Sequence, residues 1–429
     1  MSDPLVRELG LLRALATHLD RRPLPPEGLT QGYLRREGLG HVREDVDDMI
    51  VIRMPGHHAF TELTECILER VPRMERGVAY ADVQTELFAR MENYIGREPS
   101  NVSDQDAQAL VAHFEKWFAD RALPRRVFVP CVISRTPAPR FEIGPVTFEY
   151  IDDITASNVY PRSADDTIAG RPGFDDIVRW MREENADWLA HVYVEGCEPK
   201  RAEEIAELSV DLVIVGLQLA APYLDTRTMS RLDARRGTSQ KRAMSEAGGF
   251  YSTGWTRREP GLAIGHGTLP DILEKAAPVF VAVGNVVRSF ATGSYRLPTL
   301  ERAWCDAACW FHQALAESID TIAIANLETA LEVLVRAESS RGSERRMVEI
   351  LSAFFGLGPD DQITPGSLLT TRQFARNIVR DRSRIVSGQL TRLEFGRGAW
   401  EYRVHLTNKR TREHFRIGIT PGASSSATL

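Results

Sequence analysis

Apolar residues recur at helical spacing in "SDPLVRELGLLRALATHLD", with Ser2 placed to cap that run. The segment "PLPPEG" breaks the pattern. A second helix is predicted over "SDQDAQALVAHFEKWFADRALP", with Ser103 as N-cap and Pro124 just past its end. Residues 1–124 therefore read as a helical N-terminal domain. Between these helices, "MPGHHAF" reads as a solvated loop, because adjacent His57 and His58 cannot face one metal from a helix. The pattern then changes. "RRVFVPCVI", "RFEIGPVTFEYI" and "WLAHVYVEG" are short β-branched and aromatic runs separated by Pro and Gly, which predicts strands. A long helix is expected from about Pro199 to Ala221. Residues 125–224 read as an α+β domain.

The stretch 225–260 is polar and rich in Arg, Ser, Gly and Thr, and reads as a surface loop or a domain boundary. Helical spacing returns in "LERAWCDAACWFHQALAES", "DTIAIANLETALEVLVRAES", "SERRMVEILSAFFGLG" and "SLLTTRQFARNIVRDRSRIVSG". Ser343 is placed to cap the third of these, and Gly356 or Gly358 to end it. Four such helices over 261–390 predict an antiparallel bundle. The expected fold class is mainly α, with an α+β middle region and a C-terminal helical bundle. Residues 391–429 read as an extension: "EYRVHLTNKRTREHFRIGI" is open to strands, and "PGASSSATL" is expected to be disordered.

The 429 residues suffice for two or three domains. A net charge of −6 argues against polyanion binding over the whole surface. The charge is uneven, however. Arg376 to Arg416 holds eleven Lys/Arg and four Asp/Glu, a local +7 that leaves −13 elsewhere. Such a patch is either a nucleic-acid footprint or a solvated helix face. The five cysteines are odd in number and loosely spaced, which predicts free thiols and a reducing, cytoplasmic setting. Cys305 and Cys309, one turn apart, read as an apolar helix face and not as a zinc site. No metal or cofactor is expected; "AIGHGTLP" lacks the lysine and spacing of a phosphate loop. The start, "MSDPLVRELG", has no signal-peptide core. The most apolar run, "LSVDLVIVGLQLAAPYL", is interrupted by Ser209, Asp211 and Gln218 and reads as a buried helix, so no membrane partner is expected.

The tract 295–388 resembles a HEPN domain of the ApeA-like kind. The resemblance rests on "LERAWCDAACWFHQAL", on "NLETALEVL" and on "RSRIVSG". In that family the last helix reads Arg-Ser-x-Ile-Val-His-Gly; this chain has Arg382, Ser383, Arg384, Ile385, Val386, Ser387 and Gly388. The resemblance implies a metal-independent endoribonuclease, commonly a homodimer in microbial anti-phage defence with a phage or host trigger protein. In that chemistry the 2′-hydroxyl attacks the adjacent phosphate. One group must move a proton near neutral pH, and a cation must cover the phosphorane. The resemblance assigns the cation to Arg382 and the base position to Ser387. A serine hydroxyl holds its proton at neutral pH, so the departure falls on the base. Arg380 and Arg384, with Ser383 and Gly388, are read as RNA contacts, the arginines alternatively as complements to the helix dipole, and the resemblance implies an acidic partner at Glu332. A non-catalytic RNA-binding or sensor module is the alternative.

Helix geometry adds a constraint. Positions five apart point about 140° from each other, so Arg382 and Ser387 converge only if the helix bends near Gly388. Arg384 and Arg380 lie on the face of Ser387. Glu328 and Glu332 stand one turn apart, where a carboxylate would orient an arginine or pack beside one. His312 is either a substitute base or a satisfied bundle histidine.

Overall fold

A computed structural model describes residues 5–25, 29–44, 48–156, 174–221, 229–233, 239–247, 250–258, 268–317, 320–336, 340–364 and 366–386. The chain forms two units, one from residues 1–127 and 193–205 and the other from 128–192 and 206 onward.

The first unit holds α1 (Val6–His18), β1 (Leu19–Pro23), α2 (Gln31–Arg36), β2 (Leu39–Glu44), β3 (Asp48–Arg53), α3 (Met54–Arg70), α4 (Pro72–Gly77), α5 (Tyr80–Met91) and α6 (Asp104–Arg121). Its three strands were not anticipated. They form an antiparallel sheet in the order β1-β3-β2. Central β3 is buried on both faces. Ile50 and Ile52 join the helical core of Leu12, Leu15, Phe60, Leu63 and Phe114, while Met49 and Val51 join a smaller cluster with Leu39. A strand buried on both sides loses the apolar–polar alternation that would betray it. "MPGHHAF" is no loop: it opens α3, with Pro55 in the first turn where its missing N–H costs nothing. The His57 ring lies 4.8 Å from that of His41, which in turn packs 4.6 Å from Phe60. The cap of α6 matches its sequence signal. Asp106 accepts from the backbone N–H and the hydroxyl of Ser103, and with Arg97 beside it the carboxyl is held down at about 2.

The second unit holds most of β4 (Arg125–Val132), β7 (Trp188–Val194) and α9 (Pro199–Ala220), and all of β5 (Phe141–Ile143), β6 (Val146–Tyr150), α7 (Ile151–Ala156), α8 (Phe174–Glu183), β8 (Ser230–Arg231), β9 (Ser239–Ala247) and β10 (Phe250–Arg258). Helices α10 (Thr268–Lys275), α11 (Ala277–Thr292), α12 (Pro298–Ala316), α13 (Asp320–Val335), α14 (Ser340–Phe355) and α15 (Thr371–Val386) follow. The three expected strand runs lie in one five-stranded sheet, order β5-β6-β7-β4-β8. Phe141 stacks on Phe148 across the β5–β6 pair, Trp188 meets Phe141 edge-on, and the Trp188 indole donates to the Ser134 carbonyl at 2.7 Å. The polar stretch 225–260 is not simply irregular: β9 and β10 pair antiparallel, from Phe250 opposite Ala247 to Arg258 opposite Ser239. Gly248-Gly249 between them is a hairpin signal that the sequence reading passed over.

The four helices expected in the C-terminal tract form, preceded by α10 and α11. α12 lies along α13; α13, α14 and α15 pack together around Val335, Met347, Ala375 and Val379. Ser343 does not cap α14. It sits inside the helix, fully buried, and its hydroxyl donates to Glu332 of α13 at 2.7 Å. Gly356, at φ +67°, ends α14. Thr370 and Gln373 cap the start of α15 reciprocally, each side chain accepting from the other's backbone N–H. Among the described residues no helix is long and apolar enough to cross a membrane.

Sheet and helices meet at two glycines. Gly144, at φ +64° in the β5–β6 turn, lies against Gly284 of α11; a Cβ on Gly284 would stand 2.6 Å from the Gly144 nitrogen. Gly to Ala inside a helix ordinarily stabilises by about 1 kcal/mol. Here the sign reverses: Gly284→Ala is expected to destabilise by about 1–3 kcal/mol through overpacking. Urea unfolding checks this, and a stabilised variant refutes the close approach.

Candidate functional site

The residues implied by the motif are only partly brought together. Glu332 is half-buried on α13 and fixed by Ser343, with Glu328 fully buried one turn before it. α13 packs against α15, which carries Arg376, Arg380, Arg382, Ser383 and Arg384. Arg380 is exposed, and Arg376 pairs with Glu344 of α14 at 3.2 Å. Arg382, Ser383 and Arg384 lie near the end of α15, and their side chains are outside the described set. Ser387 and Gly388 lie outside the described residues. Glu332 thus has a defined partner in Ser343.

A better-defined constellation lies elsewhere in the same unit, between α9, β8, α12 and the start of α13. One face of α9 presents Leu208, Asp211, Leu212 and Val215, at the i, i+3, i+4, i+7 spacing of a single helix stripe. Opposite, α12 presents Ala308, Cys309, His312, Gln313 and Ala316, also one stripe. With Arg231 of β8 and Asn326 of α13, they enclose a cavity of about 490 Å³.

Arg231 is the charged centre of that cavity, its side chain 12% exposed. Nε donates to Asp211 at 3.0 Å; Nη1 meets Asp233 at 2.7 Å and Glu207 at 3.1 Å. Nη2 has no hydrogen bond or ion pair with a described residue. Burial works against the charged guanidinium, but Asp211 and its companions hold its pKa above the ordinary value. Burial pushes the Asp211 carboxyl up by more than Arg231 pulls it down.

His312 completes the site. Its Nδ1 lies 3.1 Å from Oε1 of Gln218, which is itself buried on α9. The Gln218 amide nitrogen donates to the Met229 carbonyl at 3.4 Å, which turns Oε1 toward the ring. Nδ1 therefore carries the proton, and Nε2 is left as an acceptor with no partner among the described residues. Burial, with Arg231 adding to it, lowers His312 to about 4, so the ring is neutral at pH 7. Burial likewise pushes the Cys309 thiol up to about 11 and Cys305 up to about 12, so neither is a thiolate nucleophile at neutral pH. No group of three or more His, Cys, Asp or Glu among the described residues suits a metal ion.

The sequence held a signal for this site. Asp211 and Gln218 are seven residues apart in the apolar half of a helix, hence on one face. They counted only against a membrane span, although a repeated polar position on a buried helix also calls for partners. Arg231 lay in a stretch with no helical or strand periodicity and carried no signal.

No family model, curated protein or solved structure matches this chain.

The ion cluster makes an asymmetric prediction. Arg231→Met leaves Asp211 buried without its cation and is expected to cost about 3–5 kcal/mol. Asp211→Asn leaves Arg231 paired with Asp233 and Glu207 and removes a carboxylate already strained by burial, so it should cost clearly less. Chemical denaturation of both variants checks the order; equal costs would mean the pair is not desolvated as described.

Proposed function

We propose that the chain acts on RNA through the arginine-bearing end of α15, as a module of HEPN type. The observation that carries the reading is α15 itself. Its arginines stand at 372, 376, 380, 382 and 384, the first within the Thr370–Gln373 cap, and the helix is anchored to α13 and α14 by Ala375 and Val379. A helix that carries five arginines between 372 and 384 suits phosphate, since a guanidinium can fork onto two oxygens. The overall −6 charge confines that affinity to this end of the chain. Ser387 in the base position favours binding over rapid cleavage. Cleavage by 2′-hydroxyl attack is the second reading, favoured by Glu332, a carboxylate already held in place on the helix beside α15. In either reading two copies would combine their motifs, as the family resemblance implies, and defence against phage is the setting.

Single-stranded RNA should bind with a steep salt dependence. Each phosphate contact contributes about 0.7 to the slope of log affinity against log salt, so Arg380→Ala should flatten that slope by about 0.7. A chain that shows no RNA binding at low salt overturns the proposal.

Ser387→His tests the chemistry. If only the base is missing, the variant should cut RNA about 10²–10⁴-fold faster than the parent, in the presence of EDTA, and leave cyclic-phosphate ends. A folded, RNA-binding Ser387→His protein that does not cut would leave binding as the function.

A further inference from the structure

The cavity around Arg231 and His312 takes no part in the RNA reading, and its chemistry can be followed separately. Its volume of about 490 Å³ falls within the usual small-molecule range of about 300–1,000 Å³. Its walls are apolar where Leu208, Leu212, Val215, Ala308 and Ala316 line it. Its polar groups are few and directional. Arg231 Nη2 is a donor with no described partner, His312 Nε2 is an acceptor with none, and the Asp211 carboxylate supplies a second acceptor. Asn326 and Gln313 add amides that can serve in either role.

Charge narrows the ligand further. One guanidinium stands among three carboxylates, Asp211, Asp233 and Glu207, while the neutral His312 adds nothing. Glu317 also lines the cavity, and among the described residues no lysine does. The guanidinium is therefore already matched by carboxylates, and a phosphate or carboxylate would enter against their repulsion in a poorly solvated space. An aliphatic chain would leave Nη2 and Nε2 without partners. What fits is flat, with apolar faces for the leucine and alanine walls and an edge bearing both N–H donors and an acceptor.

We infer that this cavity is a binding site for an uncharged nucleobase or nucleoside, its ring between the α9 and α12 faces. An N–H of the ring donates to His312 Nε2, an exocyclic amine or ring N–H donates to Asp211, and a ring nitrogen or carbonyl oxygen accepts from Arg231 Nη2. The inference rests on the cavity alone and stands whether or not α15 binds RNA. No covalent step is implied.

The test uses the full chain and the free nucleosides adenosine, guanosine, cytidine and uridine, each beside its 5′-monophosphate. Calorimetry should show saturable binding of at least one nucleoside in the millimolar range or tighter, with the monophosphate at least about tenfold weaker. His312→Phe, which keeps the ring's bulk and removes the acceptor, should weaken binding by about tenfold. Cys309 provides a readout on wild-type protein. It lines the cavity and is half-buried, whereas Cys66, Cys131, Cys197 and Cys305 are buried. A bound nucleoside should slow alkylation of Cys309 at mildly alkaline pH. Failure of all four nucleosides to bind wild type overturns the inference. So does binding that leaves Cys309 alkylation unchanged, which would place the ligand elsewhere, and so does a monophosphate that binds as well as its nucleoside.

Discussion

A guanidinium that gives up most of its water must be matched by carboxylates, and Arg231 sets that requirement on everything around it. Its side chain is 12% exposed, and stripping an ion of its hydration costs several kcal/mol unless good partners replace the water. Asp211 supplies the principal partner, from a stretch of α9 where Val210, Leu212, Val213, Ile214 and Val215 are buried. This fixes the rotation of α9, because only one face can present Asp211 to β8 while Leu212, Val213 and Ile214 remain buried. The same rotation carries Gln218, seven residues on, to His312 of α12. One ion pair thus ties the sheet edge to the helix beneath it, and one amide ties that helix to the next.

Close packing does the rest, in a way that polar bonds cannot. Gly144 and Gly284 approach so nearly that neither tolerates a Cβ, and on α9 a Cβ at Gly216 would stand 3.0 Å from a methyl of Val283. α11 is therefore pressed onto the β5–β6 turn and onto α9 through positions where side chains are absent. The C-terminal trio is built differently. Among the described residues its core is small, with Val335, Met347, Ala375 and Val379 at the centre and Leu331, Val348, Ile350 and Ile378 around them. Phe354 and Phe355 of α14 and Leu368 stay largely exposed, at 78%, 62% and 96%. A cluster this modest leaves proportionately more of the helix contacts to capping and polar pairs such as Ser343–Glu332.

What the sequence revealed follows from how much each element depends on its neighbours. The helices α6, α9, α12 and α15 were legible because their apolar stripes and caps are local properties, as the Ser103–Asp106 cap shows. The runs in β4, β6 and β7 were legible because β-branched and aromatic residues cluster between Pro and Gly. Strand β3 was not, since Met49, Ile50, Val51 and Ile52 are all buried and present no alternation. The β9–β10 ribbon was missed because its residues are polar and only the Gly-Gly pair marks it. Of the candidate site, Asp211, Gln218 and His312 were visible as odd polar residues in apolar helices. Their convergence on Arg231 depends on chain separations of 20 and 94 residues for the pairs Asp211–Arg231 and Gln218–His312, which no local pattern encodes.

Ser343 and Glu332 show how such a partner redefines a residue. Read locally, Ser343 is a helix cap and Glu332 a carboxylate facing an arginine; in the fold they hold each other. A hydroxyl buried completely within α14 needs an acceptor, since an unmade bond there costs about 1–3 kcal/mol. Glu332 Oε1, at 2.7 Å, is that acceptor, and the bond joins α13 to α14, both of which pack against α15. A carboxylate oxygen already accepting such a bond is pinned in one rotamer, and any role toward α15 must be played from that fixed position. The same logic governs His312, which lines the cavity: Gln218 satisfies Nδ1 and locks the ring, and Nε2 is the nitrogen that remains. In both cases the bond that stabilises the fold also decides which atom is left to do chemistry.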